Sequence, residues 1–188
     1  GDTIGNGRAS AILYAREGAK VMIVDYRLGS AEDTCQMIAK EGGEAFAFQA
    51  DATKSDDCKN MAEACVQRFV RIDMLHNKFG IGDNDGGLNQ VTEDAWDRIL
   101  AVNMKSVIMP CKHVIPIMRG QRSGAILNIS SIAAVCNVGI LAYKTSKAGV
   151  NAITNQLALS NAKYGVRVNC IMPGLMDTPM AIEGISKA

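Results

Sequence analysis

Short apolar stretches alternate with longer amphipathic stretches along the chain. The apolar stretches are rich in β-branched residues and predict strands at 21–24, 45–48, 72–76, 125–129 and 166–170. Between them, apolar residues recur three and four positions apart and predict helices near 9–17, 31–40, 56–69, 93–118 and 143–163. The strands are continuously apolar, as is typical of parallel strands covered on both faces. The pattern therefore predicts an α/β fold with a doubly wound parallel sheet and helices on both faces.

Two prolines fall inside the fourth predicted helix. Pro110 and Pro116 both lie within 93–118, and an interior proline removes a backbone hydrogen bond at a cost of about 3 kcal/mol. We therefore expect a kink or a helix end near one of them. No repeat or long linker divides the sequence, so a single domain over residues 1–188 is expected.

Composition narrows the classes of function. The 20 basic and 19 acidic side chains give a net charge of +1, which argues against nucleic acid as a partner. No apolar run reaches the ~20 residues that cross a bilayer, so no membrane partner is expected. The six cysteines show neither CxxC pairs nor metal-ligand spacing. They indicate buried free thiols, no metal site and a cytoplasmic location.

The chain begins with a glycine-rich segment that leads into the first predicted helix. Gly1, Gly5 and Gly7 would let the backbone approach a pyrophosphate, whose charge is favoured at a helix N-terminus. The next strand ends at Asp25, where a carboxylate can accept hydrogen bonds from ribose hydroxyls or simply cap a turn. An acidic group there repels a 2′-phosphate, and no basic residue replaces Ile4, so NAD is favoured over NADP.

A second group of polar residues has the spacing of proton-transfer chemistry. Tyr143 and Lys147 are four positions apart and therefore lie on one face of a helix. An ammonium group beside a phenol favours the phenolate, which makes the tyrosine a better base. Ser130 and Ser131 end the preceding strand, where a hydroxyl can hydrogen-bond the oxygen of a substrate.

These segments, in this order, resemble the short-chain dehydrogenase/reductase family from end to end. The other matching segments are QADA at 49–52, NKFG at 77–80, Asn103 and RVNCIMPG at 167–174. The resemblance implies a Rossmann-type sheet and hydride transfer between NAD(P) and a secondary alcohol or ketone. It implies that Tyr143 is the general acid/base and that Lys147 lowers its pKa. Ser131 would polarise the substrate oxygen, and Asn103 would take part in a water-linked proton relay.

The resemblance also implies which residues hold the cofactor. Asp51 and Ala52 would contact adenine, and Lys147 would hold the nicotinamide ribose. The full expected set is Gly1, Gly5, Asn6, Gly7, Asp25, Asp51, Ala52, Asn77, Gly80, Tyr143, Lys147, Pro173, Gly174, Met176 and Thr178. The loop 81–89 and the region after Met180 would form the substrate pocket, and the helices 93–118 and 143–163 would form the interface of a homodimer or homotetramer.

Several positions depart from the family pattern. Lys78 and Phe79 place a cation and a ring where the motif has asparagine and alanine, and Asn6 replaces an isoleucine. The interval from Ser131 to Tyr143 is one residue shorter than is common in the family, which leaves Ser130 as an alternative to Ser131.

The family pattern has a strand before the glycine loop and another after the last segment seen here. The sequence therefore suggests a sheet that lacks its first and last strands, and a fragment of a longer protein. The alternative to an active enzyme is a non-catalytic dinucleotide-binding homologue, or an inactive fragment of such an enzyme.

Overall fold

A computed structural model describes residues 4–178, and the predicted alternation of strands and helices is confirmed there. Its helices are α1 (Asn6–Arg16), α2 (Leu28–Lys40), α3 (Ser55–Phe69), α4 (Glu93–Gln121) and α5 (Ala142–Asn161). Its strands are β1 (Val21–Asp25), β2 (Ala45–Gln49), β3 (Met74–Asn77), β4 (Gly124–Ile129) and β5 (Val166–Ile171). Gly1 and the region after Met180 lie outside the described residues.

The chain divides into two compact units, of which the first comprises Gly1–Asp51 and Leu175–Ala188. Here β1 and β2 pair in parallel, with Val21 opposite Ala45 and Asp25 opposite Gln49. The helices α1 and α2 contact each other, and their apolar residues Ala11, Ile12 and Ile38 pack against the strands. This arrangement places the end of β1 at Asp25, as the sequence predicts.

The second unit, Ala52–Gly174, contains a three-stranded parallel sheet in the order β3-β4-β5. The helices α4 and α5 pack against each other and contact this sheet, and α3 packs on α4. Ile99, Met118, Ile126 and Val150 are fully buried among these elements. Because the strands are parallel, their carboxyl ends at Asn77, Ile129 and Ile171 meet at one edge. Parallel sheets flanked by helices confirm the predicted fold class.

The helix α4 continues through both of its prolines. Thr92 caps its start, with Oγ1 accepting from the Ala95 amide at 3.2 Å, and Arg122 ends it in the left-handed conformation at φ 56°. Pro110 is buried in the packed face of the helix. The expected helix end near a proline is therefore absent, because burial along α4 outweighs the lost hydrogen bonds; a kink near a proline stays a prediction.

Candidate active site

Tyr143 and Lys147 lie one turn apart near the start of α5. The Nζ atom of Lys147 lies 5.5 Å from the centroid of the Tyr143 ring. It donates a hydrogen bond to the carbonyl of Ile129, the last residue of β4, at 3.0 Å. Lys147 is only 3% exposed, so this contact fixes a buried ammonium group at the carboxyl edge of the sheet.

Burial controls the protonation of both side chains. The pKa of Lys147 is lowered to about 8, mainly by loss of hydration and also by the nearby cation of Lys78, against a smaller opposing effect of Cys170. Loss of hydration raises the pKa of Tyr143, while a side-chain hydrogen bond with Ser131 opposes the rise. Desolvation of the phenolate is the largest effect on the pKa of Tyr143 in this structure, and the lowering of that pKa by Lys147 stays a prediction from the family resemblance.

The two adjacent serines have different partners. The buried Ser130 donates from Oγ to the Lys147 carbonyl at 2.8 Å, which ties β4 to α5. Ser131 is the serine whose side chain interacts with that of Tyr143 and opposes the rise in its pKa. Its Oγ also accepts from the Ala133 amide at 3.1 Å and caps the short helical turn Ile132–Ala134. Of the two, only Ser131 affects the pKa of the phenol.

Asn103 holds the segment that follows β3. Its Oδ1 accepts from the Ile81 amide at 2.8 Å, and its Nδ2 donates to the Ile81 carbonyl at 3.0 Å and to Ser146 Oγ at 2.9 Å. Ser146 Oγ in turn donates to the Tyr143 carbonyl at 2.7 Å. The Asn103 side chain therefore joins α4, residue 81 and α5, and its expected part in a proton relay stays a proposal.

Gly80 and Asn77 shape the end of β3. A Cβ added at Gly80 would lie 3.1 Å from Lys147 Nζ, so glycine leaves room for the ammonium group. The buried Asn77 donates from Nδ2 to Asn128 Oδ1 at 2.9 Å, and Asn128 Nδ2 donates to Thr154 Oγ1 at 2.9 Å. Asn77 thus ties β3 to β4 and α5, a bracing role beneath the site.

Lys78 is the departure from the family pattern that alters the local charge. It is half-buried, and loss of hydration lowers its pKa. Its charge lowers the pKa of Lys147 and, after the larger effect of burial, that of His76, which falls to about 4. The end of β3 is consequently a region of concentrated positive charge.

Two positioning side chains were missed by the sequence reasoning. Asp85 accepts hydrogen bonds from the backbone amides of Ala142 and Tyr143 at 3.1 and 2.7 Å. Lys144 donates to the carbonyls of Ala133 and Cys136 at 3.1 and 2.6 Å, and so holds the turn that follows Ser131. Asp85-Gly86 is typical only of a turn, and no local pattern links it to a helix 57 residues away.

The proline-glycine segment lies partly in this unit. The Pro173 carbonyl accepts from the Ile132 amide at 2.9 Å, which places it beside the Ser131 turn, and Gly174 has open space around it. Met176 and Thr178 belong to the first unit, where Thr178 Oγ1 donates to the Met176 carbonyl at 3.5 Å.

In the first unit, the predicted adenosine-side residues lie at the starts and ends of elements. Gly5 is the N-cap of α1 and Asn6 and Gly7 are its first residues; no side chain caps this helix, and a Cβ at Gly5 would meet no atom within 4 Å. Asp25 Oδ1 accepts from the Arg27 amide at 2.9 Å, so this carboxylate does cap a turn. Asp51 ends the first unit, and Ala52, the first residue of the second, is buried. An uncapped helix start and a strand-end carboxylate fit a dinucleotide.

The remaining sequence expectations concern metals, thiols and membranes. Within residues 4–178 no group of three or more His, Cys, Asp or Glu side chains is arranged to hold a metal ion. All six cysteines are free, but only Cys58 and Cys111 are buried and Cys136 is exposed, which corrects the expectation of buried thiols. Over the same residues, no helix has the length and apolar character required to span a membrane.

Comparison with known proteins gives consistent matches. The family described as short chain dehydrogenase matches residues 1–187. A 3-oxoacyl-(acyl-carrier-protein) reductase of Thermotoga maritima is 35% identical over 189 residues, which is 100% of this chain and 76% of the relative. A 7alpha-hydroxysteroid dehydrogenase of Clostridium sardiniense is 36% identical over 188 residues, covering 98% of this chain and 71% of the relative.

Solved structures agree with these matches. NAD+-bound xylitol dehydrogenase has a TM-score of 0.92 at 30% identity, over 96% of this chain and 70% of that one. A metagenomic short-chain oxidoreductase in complex with NADP has a TM-score of 0.85 at 29% identity, over 98% of this chain and 84% of that one. An uncharacterized oxidoreductase of Bacillus subtilis is 33% identical over 181 residues, which is 96% of this chain. The chain spans 66% of the length of that relative.

Proposed function

The chain belongs to the short-chain dehydrogenase family of oxidoreductases, and from this premise we propose that the protein transfers a hydride between NAD and a secondary alcohol or ketone. The observation that carries the proposal is the grouping of Tyr143, Ser131 and Lys147 in the second unit. The side chain of Ser131 interacts with the phenol of Tyr143 strongly enough to affect its pKa, and the Lys147 ammonium lies 5.5 Å from the centroid of the ring. These groups can donate a proton to a carbonyl oxygen during reduction and accept one from an alcohol during oxidation.

The proton chemistry follows from the state of Tyr143. Because burial raises its pKa, the side chain is a neutral phenol at pH 7 and is in the form that donates a proton. In ketone reduction the carbonyl carbon gains a hydride, while the carbonyl oxygen takes the Tyr143 proton and becomes a hydroxyl. Ser131 donates a hydrogen bond to that oxygen as negative charge develops on it. Alcohol oxidation is the same sequence in reverse, with the phenolate as base.

When bound, NAD would supply the hydride acceptor or donor. Asp25, at the end of β1, would accept hydrogen bonds from the adenosine ribose, and the uncapped start of α1 would face the pyrophosphate. The side chain of Arg8, near that start, is bound to α2, because its Nε donates a hydrogen bond to Thr34 Oγ1 at 3.1 Å. The carboxylate of Asp25 repels a 2′-phosphate and therefore favours NAD over NADP.

The decisive experiment is a cofactor and substrate panel with the purified protein. NAD and NADP are each combined with cyclohexanol, xylitol and a hydroxysteroid, and their reduced forms NADH and NADPH are each combined with a 3-oxoacyl thioester. Formation or loss of reduced nicotinamide is followed by absorbance. Replacing Tyr143→Phe removes the proton donor and is expected to lower kcat by about 100-fold or more. Tyr164→Phe is the matched control, because that ring stacks with Arg119 at 4.7 Å and takes no part in the site. Absence of turnover with every combination would overturn the proposal.

The cofactor preference has its own test. Replacing Asp25→Ser removes the charge that repels a 2′-phosphate and is expected to raise kcat/KM for NADP relative to NAD by about tenfold or more. Glu32→Gln, an exposed acid on the following helix, is expected to leave the ratio unchanged. An unchanged ratio in Asp25→Ser would contradict the assigned role.

A non-catalytic dinucleotide-binding protein is the second candidate, favoured by Lys78, whose charge adds to the larger effect of burial in lowering the pKa of Lys147. The same panel separates the two, because that protein would bind NAD in a titration and leave it oxidised. A homodimer or homotetramer through α4 and α5, and a cytoplasmic location, complete the proposal. The six free cysteines support the location, and light scattering of the purified protein tests the assembly.

A further inference from the structure

Asp85 places a carboxylate directly on the start of the catalytic helix. Oδ2 accepts from the Tyr143 amide at 2.7 Å, and Oδ1 accepts from the Ala142 amide at 3.1 Å and from the Gly86 amide at 2.8 Å. The N-cap residue of α5, Leu141, has no side-chain acceptor of its own, and its amide donates to the Gly86 carbonyl at 2.9 Å. The cap of α5 is thus supplied by a loop that lies far away in sequence.

The same loop is fixed at its other end. Asn103 bonds both the amide and the carbonyl of Ile81, at 2.8 and 3.0 Å. Through Ser146, Asn103 also reaches the Tyr143 carbonyl. Residues 81–86 therefore span from α4 to α5, and the peptide units on both sides of Tyr143 are held: its amide by Asp85 and its carbonyl by Ser146.

This arrangement matters because Tyr143 is the second residue of α5. The first turn of a helix frays when its amides lack partners, and a charged acceptor there also interacts favourably with the helix dipole. A tyrosine on a frayed turn would hold its hydroxyl less well against Ser131, and a shift of about 1 Å at a reacting group costs about 100-fold in rate.

We propose that Asp85 is a positioning residue, which couples the loop at 81–86 to the orientation of the Tyr143 hydroxyl. The loop is expected to line the substrate pocket. Substrate contacts with the loop would therefore change the orientation of the Tyr143 hydroxyl through the Asp85 carboxylate. The inference rests on the proposed function for its catalytic meaning. The geometric coupling itself is testable without turnover.

The turnover-independent test uses Asp85→Ser, whose short hydroxyl does not reach the two amides, and Asp85→Asn, which keeps one side-chain oxygen as an acceptor. Backbone hydrogen exchange at Ala142 and Tyr143 is expected to accelerate about tenfold or more in Asp85→Ser and by less in Asp85→Asn. Ultraviolet titration, with Tyr143→Phe as the difference reference, is expected to show the pKa of the Tyr143 phenol moving down toward its ordinary value as the turn opens to water. Asp56→Asn changes an acid in the first turn of α3 by the same charge and is expected to alter neither. Unchanged exchange and titration in both Asp85 variants would overturn the coupling.

The turnover test uses cyclohexanol deuterated at the carbinol carbon, or the best alcohol of the panel so deuterated. In Asp85→Ser, kcat is expected to fall about tenfold with an unchanged Kd for NAD and a larger deuterium isotope effect, because the chemical step becomes slower. A variant that only lost folded protein would show a lower kcat with the isotope effect of the parent, and that result would overturn the positioning role. If the parent protein shows no turnover, the proposed function fails, while the exchange and titration results still decide the coupling.

Discussion

Gly80 and Lys147 share one small space: a Cβ on residue 80 would lie 3.1 Å from the lysine Nζ. The ammonium group is buried and donates to the Ile129 carbonyl, so it has little freedom to retreat. Gly80→Ala is expected to displace Nζ, to lower the free energy of unfolding by about 1–3 kcal/mol and to lower kcat by about tenfold. Denaturant unfolding and steady-state kinetics measure the two effects.

Gly120→Ala is the matched control for that substitution. Gly120 lies in α4 and a Cβ there would meet no atom within 4 Å, so the change is expected to stabilise the protein by about 0.5–1 kcal/mol. If Gly80→Ala behaves like Gly120→Ala, the close approach of residue 80 to Lys147 has no functional consequence.

The two serines at the end of β4 are expected to separate chemistry from stability. Ser131→Ala removes the hydrogen bond that opposes the rise in the pKa of Tyr143, so that pKa is expected to increase further and kcat to fall by about 100-fold. Ser130→Ala removes the bond to the Lys147 carbonyl and is expected to lower the free energy of unfolding by about 1 kcal/mol, with a smaller effect on kcat. The reverse assignment of effects would identify Ser130 as the catalytic serine.

Lys147 is expected to make stability depend on pH in the alkaline range. Its pKa is about 8 in the folded chain and near 10.5 as the ordinary value, so between these limits the unfolded state binds the extra proton. Raising the pH through this window therefore favours the folded state, by up to about 3 kcal/mol. The measurement compares the free energy of unfolding of the parent with that of Lys147→Met from pH 7 to pH 10.5, with the exposed Lys163→Met as control. A difference that does not change with pH would contradict the lowered pKa.

Lys78 is expected to control the charge of its neighbours. Its cation contributes to lowering the pKa of His76 to about 4, after the larger effect of burial, and it also lowers that of Lys147. Lys78→Asn is expected to raise the pKa of His76, which NMR titration of the two histidine rings can follow. Lys105→Asn, which removes an exposed cation on α4, provides the comparison. An unmoved His76 titration in Lys78→Asn would show that burial alone sets its pKa.

The parts of the fold that depend on local pattern were predictable from the sequence. The 3.6-residue period placed Tyr143 and Lys147 on one face of α5, and the apolar runs located all five strands seen in residues 4–178. What could not be predicted depends on tertiary contacts. The partner of Asp85 lies 57 and 58 residues away, and the direction of the Tyr143 shift depends on how much water the folded chain removes from the phenol. The helix end expected near Pro110 or Pro116 is absent for a similar reason, because a local rule for prolines does not include the packing around α4.

Asn77 and Asn128 are register partners on adjacent parallel strands, and their amides meet at 2.9 Å inside the sheet. Because neighbouring parallel strands carry similar apolar residues, few other contacts distinguish the native register from a shifted one. A slip by one position would turn one amide to the opposite face and leave both without this bond in a dry environment, at about 1–3 kcal/mol for each unpaired group. The pair therefore favours the native register of the two strands that lead to Gly80 and Ser131 over a shifted one.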